Sequence, residues 1–232
     1  MEKRRRVVPY MERLWVTDIA LIALLVFLLM YIFFLYPLGQ IGSFRPLTTV
    51  FWSLILITGA MTALRNRLFR TLVFSWGFLA FVFLWIRHLF PHETFILVSN
   101  CLALFYLVLL TPLILSQALR DGETTSRRIM GAVAAYLILG LIWSVAYHLI
   151  ALRIPGAFSI QGPSTPGDTE SMQSQLFYFS FVTLTTIGYG DIAAVHPIAR
   201  MLTILEGVIG QLFPAILIAR LVSLQVQSKK KT

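Results

Sequence analysis

The sequence predicts an all-α polytopic membrane protein with six membrane-spanning helices and one short helix that enters the membrane and returns. Four observations predict it. The 232 residues are 58% hydrophobic and only 12% charged, with a mean hydropathy of +0.81. Several apolar runs reach the roughly 18 residues that mark a membrane span. The cations gather at one set of helix ends. Between the last two long runs lies an apolar segment too short to cross a bilayer, followed at once by a glycine-rich stretch.

The elements follow in order. Residues 1–14 form a basic N-terminus carrying Lys3, Arg4, Arg5, Arg6 and Arg13, ahead of a 22-residue apolar run from Trp15 to Tyr36. That run is too long for a signal-peptide core and lacks a small-residue cleavage site, so it reads as a retained first helix, ended by Pro37 and Gly39. Further spans are expected at 47–64, 71–87 and 94–116, which completes a four-helix N-terminal membrane domain over 15–119. The short link Arg87-His88-Leu89-Phe90-Pro91-His92 implies a helical hairpin. A polar segment, 117–130, separates these helices from a second unit, 131–224. That unit opens with a span at 131–152, and a loop rich in Pro, Gly, Ser and Thr runs from Ile154 to Ser171. Met172 to Thr185 reads as a 14-residue helix, about 21 Å long and short of a ~30 Å hydrocarbon core. The last span covers 198–224 and leaves a basic tail, 225–232, with Lys229, Lys230 and Lys231.

A formal net charge of +9 is compatible with nucleic-acid binding, but the placement of the charges excludes that reading. With both termini on one side, that side holds 15 of the 19 Lys and Arg residues, leaving only Arg45, Arg87, Arg153 and Arg200 opposite. The positive-inside rule then puts both termini in the cytoplasm of a cell (plasma or inner) membrane, and an even number of spans follows. The lone cysteine, Cys101, allows no internal disulfide and reads as a small packing residue.

The stretch Thr185-Thr186-Ile187-Gly188-Tyr189-Gly190-Asp191 suits neither helix nor strand. Glycine tolerates positive φ, so Gly188 and Gly190 let successive carbonyls point the same way. A row of carbonyls aimed at one axis replaces the water around a dehydrated cation, and non-helical backbone at membrane depth must be buried in protein or line a water path. With Tyr178 through Asp191 as its most specific part, the last hundred residues resemble the pore module of potassium channels: outer helix, pore helix, selectivity filter and inner helix. The resemblance is generic, by helix count, over residues 1–120. It implies a homotetramer, in which each chain joins three identical subunits, and K+ as the permeant ion. The ion would meet Thr186, Ile187, Gly188, Tyr189 and Gly190. It also implies that Tyr189 points away from the pore and is supported by Tyr178 and Phe179, where the family often has tryptophans. Some members pair a pore-helix glutamate with the aspartate after the filter. Here that position is Val182, so Asp191 must find another partner.

In the last span, Gly210 lies twenty residues after Gly190, where the family places its bending glycine. Pro214 removes a backbone hydrogen bond one turn later. Bending here would open the cytoplasmic mouth, although small residues also serve close helix packing. On this register Gln211, Pro214 and Ile218 share a cavity-lining face. Glu206 is the one acid deep within a span, a costly and usually functional placement; two readings are open, a tether of the inner helix to the back of the filter and a neutral group simply hydrogen-bonded to a neighbouring helix. His88, His92, His148 and His196 read as interfacial anchors.

Residues 94–116 contain no Lys or Arg, so the fourth helix carries no gating charge and voltage dependence should be weak or absent. The segment after residue 224 is too short for a ligand-binding domain. The basic tails suit anionic lipid as well as orientation. The leading reading is a passive potassium-selective channel. Alternatives are a less selective cation channel, a secondary transporter, for which paired broken helices are expected, or a membrane scaffold. No Ser/His/Asp set, zinc spacing or phosphate loop suggests an enzyme.

Overall fold

The computed structural model describes residues 19–35, 45–62, 67–90, 92–118, 126–161 and 169–229. The expectations for the basic N-terminus, for Pro37 and Gly39, and for Arg65, Arg120, Lys230 and Lys231 lie outside the described residues. Among the described residues, seven helices and two short strands follow one another: α1 (Ile19–Phe34, ending in a π-helical turn at Tyr31–Leu35), α2 (Arg45–Thr62), α3 (Arg67–Leu89), α4 (Glu93–Ala118), α5 (Ser126–Arg153), β1 (Phe158–Ile160), α6 (Thr169–Leu184), β2 (Ile192–Ala194) and α7 (Pro197–Lys229).

Among the described residues, four helices are long and apolar enough to cross a membrane, through Arg70–Leu89, Glu93–Ser116, Arg128–Arg153 and Pro197–Arg220. The apolar helices Ile19–Phe34 and Pro46–Thr62 are shorter. Pro46 sits near the start of α2, where its missing N–H removes no helical hydrogen bond. Helix α6 has 16 residues, about 24 Å, so it stays shorter than the hydrocarbon core.

One core joins the N-terminal helices to α5. Leu24 and Leu28 of α1, Ile55 of α2, Val73 of α3, Leu107 and Leu110 of α4 and Ile138 of α5 are buried together, and Phe177 of α6 packs into the same cluster. Tyr106 shows why α2, α3 and α4 approach closely. Its fully buried ring lies against Gly59 and Gly77, and its hydroxyl donates to the Leu56 carbonyl at 2.6 Å. Cys101 is exposed rather than packed inside, since its helix turns that position outward.

The Ile154–Ser171 stretch is more ordered at its start than a loop reading implies. Pro155 stops α5, and Gly156 at φ +77° carries the Pro–Gly order of a tight turn closed by Ala157 N–H on the Ile154 carbonyl at 3.1 Å. The chain then forms β1, which pairs antiparallel with β2 in the register Phe158↔Ala194, Ser159↔Ala193 and Ile160↔Ile192. These two strands were not foreseen, because three residues are too few to display an alternating pattern. At the other end α7 stays helical to Lys229, so the expected tail from residue 225 begins inside a helix.

Candidate functional site

The 185–190 segment leaves α6 with its backbone turned in one direction. Thr185 N–H donates to the Phe181 carbonyl, Thr186 N–H to Thr183, and Ile187 N–H to Val182 at 2.9 Å, with Gly188 N–H on the same Val182 oxygen at 3.3 Å. These donors are thus folded back onto the end of the helix. Among the described residues, no backbone N–H donates to the carbonyls of Thr186 through Gly190. The φ angles explain the one-sidedness: Thr186 (+59°), Gly188 (+61°) and Gly190 (+81°) are left-handed, while Ile187 and Tyr189 between them are not. Alternating hand makes successive carbonyls point the same way instead of alternating. Glycine takes this conformation freely, but a β-branched threonine does so at a cost of about 1–3 kcal/mol, which persists where surroundings demand it.

The aromatic frame divides its labour. Tyr178 stacks parallel to Tyr189 at 6.5 Å between centroids, with the Asp191 carboxylate near its hydroxyl. Phe179 turns the other way, into a buried cluster with Tyr147 of α5 and Phe158 of β1 at 5.3 and 5.6 Å. Only one of the two expected supports therefore meets the Tyr189 ring. Downstream, the Asp191 carbonyl accepts Gln161 N–H at 2.9 Å, and Ala157 O accepts the N–H groups of Val195 and His196. The segment after Asp191 is thus clamped to the end of α5.

Glu206 is fully enclosed, and it joins three helices. Tyr147 of α5 donates to its Oε2 at 2.6 Å, and its Oε1 lies 2.6 Å from Ser180 Oγ of α6. One turn further along α7, Gly210 packs on the last residue of α6. A β-carbon at Gly210 would overlap the Leu184 carbonyl oxygen and stand 2.8 Å from its carbon. Tyr136 of α5 closes this corner by donating to the Leu184 carbonyl at 3.0 Å, which satisfies a helix-end acceptor that has no intrahelical partner.

The other expected residues separate clearly. Gln211 and Ile218 are exposed on the protomer and Pro214 is half-buried, within a helix that runs unbroken past it. His148 is no interfacial anchor. It is buried in the core, with its Nδ1 3.0 Å from Asn100 Nδ2, and Asn100 Oδ1 accepts from Arg87 at 3.3 Å. His196 caps α7, accepting Ile198 N–H on Nδ1 at 3.3 Å. Sequence reasoning missed Tyr136, Tyr147 and Ser180. A serine within the apolar Phe177–Leu184 run was the only available signal.

A helical membrane protein built around an ion-channel module is the class that these features define. Residues 134–227 match the family described as "Ion channel". Over 89 residues, 38% of this chain, it is 38% identical to the two pore potassium channel c of Oryza sativa subsp. japonica, covering 17% of that protein. Over 86 residues, 37% of this chain, it is 30% identical to protein LctB of Geobacillus stearothermophilus, covering 62% of it. Over 87 residues, 38% of this chain, it is 28% identical to protein LctB of Bacillus caldotenax, covering 64% of it. The matched region thus spans less than two thirds of each of these relatives. No solved structure matches the chain.

Proposed function

We propose that four copies of this chain form a potassium-selective channel that conducts K+ passively and without intrinsic voltage gating. The observation that carries the reading is the alternation of left-handed residues at Thr186, Gly188 and Gly190, which frees a row of carbonyls next to the C-terminal end of a helix. Replacing the hydration shell of a cation is what such a row does chemically, and the negative end of the α6 dipole favours a cation over an anion. One chain supplies one such strand, so a ring of carbonyls needs several copies. Exposure agrees with this need: Ile187 is 54% and Tyr189 69% exposed on the isolated protomer, which leaves large apolar side chains for neighbouring subunits to cover.

In this reading the chain crosses a cell membrane six times, with both termini in the cytoplasm and the 186–190 segment towards the outside. Thr186, Ile187, Gly188, Tyr189 and Gly190 bind K+, with Tyr178 and Asp191 holding the segment from behind. Gln211, Pro214 and Ile218 line the cavity. Bending of α7 beyond the Gly210 contact opens the inner mouth, and the basic tails meet anionic lipid. The test is ion flux from liposomes holding the purified protein, comparing potassium with sodium and with Gly190→Ala as the control. Selective potassium flux that Gly190→Ala abolishes is expected. A monomeric protein, or equal sodium and potassium flux, overturns the reading.

A further inference from the structure

Hydrogen atoms can be counted around Glu206. Four groups form one continuous chain of oxygens: Tyr147 Oη to Glu206 Oε2 at 2.6 Å, Glu206 Oε1 to Ser180 Oγ at 2.6 Å, and Ser180 Oγ to the Gly140 carbonyl at 2.8 Å. Each of these three contacts is a hydrogen-bond distance between oxygens and needs one hydrogen. The Gly140 carbonyl has none to give, so Ser180 must donate to it. Ser180 has then spent its only hydrogen and can only accept from Glu206. Tyr147 supplies the hydrogen for the remaining contact. Thr203 does not make up a shortage, because its hydroxyl donates to Ala199 at 2.8 Å. With an ionised Glu206, two hydrogens would have to serve three contacts, and one pair of oxygens would face each other bare.

We propose that Glu206 is a neutral carboxylic acid that donates to Ser180, making Tyr147, Glu206, Ser180 and Gly140 a one-directional chain that fastens α6 to both α5 and α7. Tyr147, Ser180 and Glu206 are thereby positioning residues for the helix that carries the 185–191 segment. The surroundings agree with a neutral group. Glu206 is 0% exposed within its own protomer, and an unpaired charge enclosed this way is expensive. The titratable groups that face it are Tyr147 and Tyr136, both from α5. From α6 it meets the hydroxyl of Ser180, which does not titrate. Arg200, on the same helix, is exposed and donates to the Ala194 carbonyl, while His148 turns to Asn100 on α4.

The experiment is infrared spectroscopy of the full-length protein in lipid at neutral pH, wild type against Glu206→Gln, with thermal unfolding of both and of Glu206→Ala and Ser180→Ala. Exposed carboxyls are ionised at neutral pH, so the wild type is expected to show a protonated-carboxyl stretch that Glu206→Gln lacks. Glutamine both accepts and donates, so it should melt within a few degrees of wild type, whereas both alanine variants melt well below. As pH rises, the unfolded chain gives up a proton that the folded chain holds. The wild-type midpoint should therefore fall while that of Glu206→Gln does not. Superimposable wild-type and Glu206→Gln carboxyl spectra overturn the proposal, as does a Glu206→Gln midpoint as low as that of Glu206→Ala. These readouts do not involve conduction, so a failure here is distinct from a failure of the channel reading.

Discussion

Gly210 and Leu184 touch backbone to backbone: the α-carbon of the first lies so near the carbonyl of the second that no β-carbon fits between them. Position 210 is therefore a contact first, whatever bending α7 undergoes. It is the point where the inner helix bears on the end of α6, one residue before Thr185 leads into the alternating segment.

Gly210→Ala should therefore impair folding or assembly. Forcing a methyl into a packed contact with backbone typically costs about 1–3 kcal/mol. Gly207, three residues away, has nothing within 4 Å of an added β-carbon, so Gly207→Ala should leave the protomer fold intact. Thermal unfolding of the two variants side by side checks this. A normally folded Gly210→Ala protein with altered opening would instead assign the position to hinging alone.

Tyr136→Phe removes the donor to the Leu184 carbonyl while leaving the ring against Phe213 at 5.6 Å. The loss should be about 1 kcal/mol, more if the carbonyl stays unsatisfied. A lower melting midpoint together with a reduced potassium-over-sodium flux ratio is expected. A drop in stability with an unchanged ratio would confine Tyr136 to packing.

At Gly188, φ is +61° and an added β-carbon would meet nothing within 4 Å on the same protomer. Gly188→Ala should thus cost only the backbone term, about 1–2 kcal/mol per chain. The protein should fold and reach the membrane, yet potassium flux from liposomes should collapse. Wild-type flux from this variant would show that the left-handed conformation is not needed for conduction.

Gln211 is exposed on the protomer, on the face of α7 assigned to the cavity. Gln211→Leu should lower single-channel conductance without affecting stability, since exposed substitutions seldom move stability by more than about 0.5 kcal/mol. An unchanged unitary current would put another face of α7 towards the pore.

Helix α4 holds no Lys or Arg along Glu93–Ala118. Without charge to move through the field, a voltage step does no work on it. Patch recordings should give a conductance that is nearly flat with voltage, and a steep curve that survives symmetric potassium would contradict the assignment.

The helices and the 185–191 segment were legible because their signals are local. Apolar run length marks spans, and Gly188 and Gly190 mark positions needing positive φ. Thr186 was not legible as a third such position, since threonine ordinarily avoids that conformation and adopts it here only where α6 ends and the chain turns. The β1–β2 pairing was hidden for a related reason: three-residue strands owe their existence to the partner and to the Ala157 and Asp191 bridges, not to their own pattern.

The sequence by itself determined the class of protein, the order of its apolar helices, the short helix and the glycine-flanked tyrosine after it, because length, hydropathy and glycine placement act within a few residues. Only the tertiary structure decided what Glu206 and Gly210 do. Their partners Ser180, Tyr147 and Tyr136 lie 26, 59 and 74 residues away. Which hydroxyl meets which carboxyl depends on how three helices cross in space, and no local periodicity encodes that.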